Sequence, residues 1–364
     1  MGLFSKRRKK SRLGSNPLLR WFGPSATSAG LLYALYLFFT GGLDFASFDK
    51  WFSSEEAPFQ GERIELSRDS DRPQDHIRIA TFNIFNFGED KSNIREHPKT
   101  KVDVLSEIAK IVNRFDLVAI QEVRTGGASV DNLVAFMNAS GANYSAVVSQ
   151  PIGDKNRTEC YAFVWDQNRI ALVPGSSYVV RDPDNRMYRE PMVASFQTVL
   201  SENENATPFR FTAINVHTDP DLVDPLDRDS EINVLADVFQ RVRDWEFARN
   251  SEDDFIVMGD LNVSTDELGM LSKIRGVVSV AGDIGTNLLQ TKTNDHILID
   301  QNVTREFANK FGVIDLIDEW GFTSEQAGSI SDHLPLFADF SRFEMSAIPQ
   351  TASMPPDTGT RVVQ

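Results

Sequence analysis

Apolar and polar residues alternate along HIRIATFNIF (76–85), a period of two that predicts a β-strand. The texture changes at DLVAIQEV (116–123), where apolar residues run on until Gln121 and Glu122. A run of that kind predicts a strand covered on both faces. Further strand segments are CYAFVWD (160–166), MVASFQTVL (192–200), FRFTAINVHT (209–218), DFIVMGDLN (254–262), DHILID (295–300) and PLFADF (335–340). Between them the spacing becomes helical. KVDVLSEIAKIVNRF (101–115) puts Val102, Leu105, Ile108, Ala109 and Val112 on one face. SEINVLADVFQRVRDWEF (230–247) does the same with Ile232, Leu235, Val238, Phe239 and Val242, and Asp229 or Ser230 can cap it. Alternating and fully apolar strands together predict stacked sheets with helices outside.

Both ends of the chain depart from this pattern. From Trp21 to Leu43 there is no charged residue, and GLLYALYLFFTGGL (30–43) is strongly apolar. About 20 helical residues span a hydrocarbon core of roughly 30 Å. No polar face exists between residues 29 and 39, which excludes a buried amphipathic helix. Residues 21–43 are therefore expected to be a membrane anchor, with a cleaved signal peptide as the alternative. The basic residues Lys6, Arg7, Arg8, Lys9, Lys10, Arg12 and Arg20 precede it, and the first acid is Asp44. That asymmetry predicts a cytoplasmic segment 1–20 and an extracytoplasmic remainder, or a secreted one if the segment is cleaved. Lys6 stands where a myristoylation motif needs Ser or Thr. Residues 44–74 read as a juxtamembrane linker, 75–343 as the folded unit, and the Pro/Thr/Ser-rich 344–364 as a disordered tail.

Composition adds two constraints. A chain of 364 residues, 41% hydrophobic and with 26 Phe, can build a large core. Its single cysteine, Cys160, excludes an intramolecular disulfide. The 52 acidic and 37 basic residues give a net charge of −15, and with the basic N-terminus set aside the rest is more acidic still. Such a domain repels polyanions unless cations intervene, which argues against cation-free nucleic-acid binding.

The predicted strands end in polar residues. Collected, these ends and their neighbours include Asn83, Glu122, Glu159, Arg189, His217, Asp260, Asn262, Asp295, Asp332 and His333. If they gather at one edge of the sheets, they form a polar pocket on an apolar foundation. Hard divalent cations take oxygen ligands, and Glu122 and Asp332 suit that role. Two histidines with separate carboxylate partners suit proton transfer to and from oxygen. Arg189 and the amides can hold a phosphate. Singly, each has a plain structural reading: GDLN (259–262) as a turn, QEVR (121–124) as a solvated strand end, Asp332 as a cap before Pro335.

Their order is more specific. ATFNIFNFG (80–88), IQEVR (120–124), REPMVASF (189–196), NVHTDPD (215–221), VMGDLNVS (257–264), NDHILID (294–300) and ISDHLP (330–335) together resemble the endonuclease/exonuclease/phosphatase superfamily of deoxyribonuclease I-like fold, over about residues 76–341. The resemblance implies an α/β (α+β) four-layer sandwich: two packed mixed β-sheets flanked by helices. It also implies divalent-metal-dependent phosphoester hydrolysis with Mg²⁺ or Mn²⁺, and Ca²⁺ as a structural ion. In its terms Glu122 looks like the principal metal carboxylate, with Asn83 beside it. Asp260 and Asn262 look like the pair at the scissile phosphate or a second metal, and Asp332 like a further metal or water ligand. His333 resembles the base that activates water, oriented by Asp295. His217 resembles the histidine that protonates the leaving oxygen, oriented by Glu159. Arg189 and Arg124 resemble phosphate-contacting arginines.

REP before a strand, and NVHT with a glutamate upstream in TECYAF, resemble the deoxyribonuclease branch, with DNA as the implied substrate. Two features depart from it: disulfides are impossible here, and Arg157 stands where that branch has an aromatic residue. His296 reads equally as a substrate contact and as structural. The anchor leaves open a membrane-facing lipid phosphodiesterase or phosphatase, of sphingomyelin or phosphoinositide type. A catalytically inactive anchored binding module is the remaining alternative. No obligate protein partner is expected.

Overall fold

The computed structural model describes residues 61–345 apart from 69, 94–95, 125 and 154–156. In chain order the elements are β1 (Glu62–Arg63), β2 (His76–Phe87), α1 (Glu89–Asn93), α2 (Val104–Val112), β3 (Leu117–Val123), α3 (Ala128–Ala139), β4 (Tyr144–Val148), β5 (Cys160–Asp166), β6 (Ile170–Leu172), β7 (Tyr178–Val179), β8 (Met192–Thr198), β9 (Arg210–His217), α4 (Glu231–Asn250), β10 (Phe255–Asp260), β11 (Val277–Ser279), β12 (Asp295–Asp300), β13 (Phe307–Val313), α5 (Ser324–Ile330) and β14 (Leu336–Ser341).

The strands form two mixed sheets. The first runs β1-β13-β14-β2-β3-β5-β4, the second β11-β12-β10-β9-β8-β6 with β7 also on β8. Among the described residues only β1–β13, β2–β3 and β9–β10 pair parallel. The period of two decides what each sheet face meets. On β9 and β10, Ile214, Val216, Phe255 and Val257 point to α4, where Ile232, Leu235, Phe239 and Val242 cover them. The alternate residues Phe211, Ala213, Ile256 and Met258 join the core between the sheets. Phe163 of β5 meets Phe196 of β8 edge-on at 5.4 Å, which interlocks the two inner faces. On the outer side of the first sheet, Ile108 and Val112 of α2 and Leu133 of α3 belong to the same core. The result is the four-layer sandwich, helix–sheet–sheet–helix.

One polar bridge crosses the inner layer. Gln121 Nε2 donates to Asn215 Oδ1 at 2.7 Å, and Asn215 Nδ2 donates to the carbonyls of Ile120 and Ala162. Satisfying these groups is what makes their burial tolerable.

Several boundaries differ from expectation. Helix α2 starts at Val104 because Asp103 caps it, its side chain accepting from Ser106 N at 3.1 Å. Val102 thus precedes the helix. Ser230 occupies the cap position of α4, but its hydroxyl donates to the Asp224 carbonyl instead. The strands β4 and β13 and the helices α3 and α5 were not apparent as periodic segments. In β13, FANKFGV has no clean alternation, and its register against β14 slips between Phe307 and Lys310.

The segment 61–74, expected as linker, belongs to the fold. β1 adds to β13, Leu66 enters the core, and Arg72 donates to Asp116 and Asp166, both at 2.7 Å. At the other end Phe343 bridges Pro208, and Glu344 N donates to the Thr207 carbonyl. The expected basic segment 1–20, the anchor 21–43, residues 44–60 of the linker and 346–364 of the tail lie outside the described residues. Among the described residues no helix is long and apolar enough to cross a membrane.

Candidate active site

Neighbouring strand ends from both sheets converge. Asn83 lies on β2, Glu122 near the end of β3, Glu159 just before β5, His217 at the end of β9, Asp260 at the end of β10 and Asp295 at the start of β12. Register explains part of this: Asp260 is paired with His217 on one side and Asp295 on the other. β10 can lie so close to β9 because residue 259 is glycine. A Cβ there would sit 1.8 Å from the Val216 carbonyl oxygen, and φ is 151°.

Glu122 reaches the site through a local break in its strand. Its φ is 58°, and the pairing of β3 with β5 slips between Ile120 and Val123. Asn86 and Asn262 also have positive φ, both 52°. Non-glycine residues in this region carry backbone strain that the surrounding fold must hold.

The polar geometry centres on Asp260. Asn83 Nδ2 donates to Asp260 Oδ2 at 3.0 Å and to Glu122 Oε1 at 3.1 Å. Glu122 Oε2 accepts from Asn86 N, and Asp260 Oδ1 from Asn262 N. On either side of Asp260 stands a histidine–carboxylate pair. His217 Nδ1 is 2.9 Å from Glu159 Oε1, and His333 Nδ1 is 2.7 Å from Asp295 Oδ2. The outer nitrogen of each ring, Nε2, lies 3.6 Å from Asp260 Oδ2.

Charge sets how these rings titrate. Burial pulls His333 down, but the carboxylates of Asp295, Asp260 and Asp332 outweigh it and hold it up at about 10. His217 follows the same pattern: burial lowers it, while Glu159 and Asp260 raise it, with a net upward shift. Each ring has its Nδ1 committed to a carboxylate, which fixes the tautomer and leaves Nε2 facing the site.

The remaining expected residues are placed differently. Arg189, 5% exposed, donates from Nε to the His217 carbonyl and from Nη2 to the Thr218 carbonyl, each at 3.0 Å. Its Nε is also 3.5 Å from Glu159, so the arginine braces the Glu159–His217 pair from behind. Asn262 Nδ2 donates to the Thr218 carbonyl. Arg124 is exposed at the rim, packed along Gly88. Asp332 is exposed too, with its carboxylate near enough to act on Lys91 and His333. His296 is structural: it is buried, with Nε2 2.8 Å from the Val263 carbonyl and Nδ1 3.2 Å from Ser279. Arg157, in the aromatic's place, donates to Asp219 at 3.0 Å and lies over the Tyr188 ring.

The donor set fits a hard divalent ion. Asn83 Oδ1 is buried without a hydrogen-bond partner, although its amide nitrogen bonds two carboxylates. An orphaned oxygen beside the Glu122 carboxylate is the ligand chemistry such cations select. The trio Asp260, Asp295 and His333 also has donor atoms within 4.8 Å of one another. Two of its members are already joined through His333 Nδ1, so a proton-transfer pair describes them better than ligation.

The residues that support these side chains are not marked by residue type in the sequence. Ser331 Oγ donates to the Asn83 carbonyl at 2.7 Å and accepts from His333 N, tying strand β2 to the histidine. The Tyr161 hydroxyl accepts from His217 N at 2.9 Å. Lys91 is directed at the carbonyls of Phe85 and Ile330; burial pushes it down to about 8, against the pull of Asp332 and Glu122. Ser331 stands next to the Asp-His pair in the sequence, which was its one available signal. An apolar groove of about 660 Å³ between β7 and α4, lined by Tyr178, Trp245 and Arg249 among others, contains none of these residues.

Comparisons with known proteins give likenesses of family and of fold. The model of the Endonuclease/Exonuclease/phosphatase family matches residues 80–333. Deoxyribonuclease-1 of Bos taurus is 27% identical over 277 residues, covering 71% of this chain and 90% of the relative. Deoxyribonuclease gamma of Rattus norvegicus is 25% identical over 278 residues, covering 71% and 83%. Among solved structures, the endonuclease/exonuclease/phosphatase from Bacteroides vulgatus covers 74% of this chain and 99% of its own, with a TM-score of 0.50 at 14% identity, a likeness of fold.

Proposed function

The chain belongs to the endonuclease/exonuclease/phosphatase family and is a phosphoester-hydrolysing enzyme, and from that premise we propose that it is an endonuclease cutting DNA phosphodiester bonds with a His333-activated water. The observation that carries the reading is the pair of oriented imidazoles, both facing Asp260 Oδ2 at 3.6 Å. In-line hydrolysis at phosphorus needs one group to take a proton from water and another to give one to the leaving oxygen. His333 would take the first role once a cation held by Glu122, Asp260 and Asp332 offsets the carboxylates that keep it protonated in the metal-free protein, with Asp295 holding Nδ1–H and stabilising the imidazolium that forms. His217 takes the second, held by Glu159, which Arg189 steadies in turn. Asp260 and Asn262 align the phosphate, with the exposed Arg124 as the cationic residue at its rim, while Arg189 acts from behind through Glu159.

Glu122 and Asn83 Oδ1 would hold the divalent cation, Mg²⁺ or Mn²⁺, with Asp260 and Asp332 as further oxygen donors. When bound, the ion supplies charge neutralisation at the phosphate, and so lets an acidic domain accept a polyanion. DNA is favoured over lipid because the similar proteins are deoxyribonucleases by name. From the sequence we also hold that residues 21–43 anchor the chain, with the catalytic domain on the extracytoplasmic side. Protection of the domain from protease added to intact cells would count against that location.

The test is a substrate panel on the full chain: plasmid DNA, RNA, sphingomyelin vesicles and a chromogenic phosphodiester, each with Mg²⁺, Mn²⁺ or EDTA. Plasmid nicking that EDTA stops and His333→Ala suppresses is expected. Lipid turnover without nicking would assign the site to a lipid phosphoester. No metal-dependent turnover of any substrate would leave a binding module and overturn the proposal.

A further inference from the structure

A second cluster of acids lies at the other end of the sandwich. Asp254 immediately precedes β10, whose far end carries Asp260. Six residues of strand put these two carboxylates about 20 Å apart. Glu306 immediately precedes β13, and Glu344 lies just beyond β14, so these two come from the other sheet. Donor oxygens of Asp254, Glu306 and Glu344 all lie within 4.8 Å of one another.

The cluster is buried and incompletely satisfied. Asp254 is 3% exposed and Glu306 is 1% exposed, yet Asp254 Oδ1 and Glu306 Oε2 have no hydrogen-bond partner. Thr304, 2% exposed, lies beside Asp254, and its Oγ1 is likewise without a hydrogen-bond partner. Among the described residues no Lys or Arg side chain pairs with Asp254, Glu306 or Glu344. The nearby Arg210 directs its Nε to Glu252 at 3.1 Å, and gives Glu344 only its backbone N–H, at 3.4 Å.

Three carboxylates sharing so small a volume without a counter-charge are costly to bury. Burial first, and then the charges of Glu306, Glu344 and Asp253, push Asp254 up to about 8. Three orphaned oxygens of hard-ligand type point to one chemical complement.

We infer that Asp254, Glu306 and Glu344, with the Thr304 hydroxyl, bind a hard divalent cation of the Ca²⁺ class at a site separate from the active site. Ca²⁺ fits better than Mg²⁺, because it accepts several protein carboxylates in irregular geometry, whereas Mg²⁺ holds most of its waters. Half-buried Glu344 leaves the site open to solvent on one side. The ion would clasp the two sheets: Asp254 belongs to the strand that carries Asp260, and Glu306 and Glu344 flank β13 and β14.

The experiment uses the full chain carrying Glu122→Gln, which weakens the active-site cation position, and follows Tm and calorimetric binding as Ca²⁺ is added to EDTA-stripped protein. Expected is one Ca²⁺ bound per chain with a rise in Tm of about 5 °C at saturation. Adding Asp254→Asn and Glu306→Gln should abolish both the binding and the rise, while raising the Tm in EDTA because the repulsion is gone. That higher Tm in EDTA also shows that the variant folds. The same two substitutions in the otherwise native chain should leave Mg²⁺-dependent phosphoester turnover unchanged. Ca²⁺ stabilisation that survives both substitutions, or none in Glu122→Gln, would overturn the inference. So would a cluster that holds only protons, recognised by a Tm in EDTA that rises as pH falls from 9 to 6 with no response to Ca²⁺.

Discussion

His217 and His333 are placed as near mirror images, each presenting Nε2 at 3.6 Å to the same oxygen of Asp260 while a carboxylate holds its Nδ1. One ring is on β9 of the second sheet and the other precedes β14 of the first, so the pair exists only when the sheets are packed. Replacing either histidine by alanine should lower kcat by roughly 10²–10⁴-fold. The double variant should be little worse than the worse single one, because the two act in one proton circuit. Multiplicative losses in the double variant would show that the rings act independently.

Asp295→Asn tests orientation apart from proton transfer. The amide keeps the size of the carboxylate but carries no charge to stabilise the imidazolium, and its Nδ2–H can turn to the ring and favour the wrong tautomer. A loss in kcat of about 10²-fold or more with little change in KM is expected. An equal loss in KM would mean that Asp295 serves substrate binding.

The raised His333 makes metal-free stability depend on pH in a defined direction. Its value rises from the ordinary 6.5 to about 10, so the folded protein keeps a proton that the unfolded chain releases. Stability from this pair is fully present below about pH 6.5 and is lost as pH rises towards 10. In EDTA, the stability gap between the native chain and His333→Asn should therefore be widest at pH 6 and shrink by pH 10. Urea denaturation at a series of pH values measures it, and a gap that widens with pH contradicts the assignment.

Gly259→Ala should be among the most damaging single changes. The new Cβ meets a backbone carbonyl at 1.8 Å, which no side-chain adjustment relieves. A loss of about 3 kcal/mol or more is expected, with the remaining folded protein inactive because Asp260 is displaced. Wild-type melting with normal turnover would contradict the close approach of β9 and β10.

Arg72 shows how far the folded unit extends before residue 75. It joins buried Asp116 to Asp166, and Arg169 completes the network at 2.7 Å from Asp116. Removing one partner of a buried carboxylate leaves charge uncompensated, so Arg72→Ala should cost about 2 kcal/mol or more. Chemical denaturation against Arg72→Lys, which keeps the charge but not the fork, separates pairing from packing.

Strand order aside, much of this protein is written along its chain. The alternation in β9 and the continuous apolar run in β3 follow from which faces must be covered, and that information is local to the residues themselves. The strand-end residues were legible for the same reason: a carboxylate or imidazole closing an apolar run stands out. What the chain could not disclose was pairing between distant segments. Arg189 looked like a free phosphate contact until its guanidinium was seen bonded to the carbonyls of His217 and Thr218. Ser331, Tyr161 and Lys91 act through contacts with backbone groups far away in sequence or beyond their own strand, so residue type alone did not mark them. Residues 61–74 lack strong periodicity and join the domain only because β13 and Asp116 offer them partners. Local pattern determined the elements and the chemical types at their ends. Packing of one sheet on the other decided which of those groups meet, because side-chain charge and hydrogen bonding act over a few ångströms of space, whatever the distance along the chain.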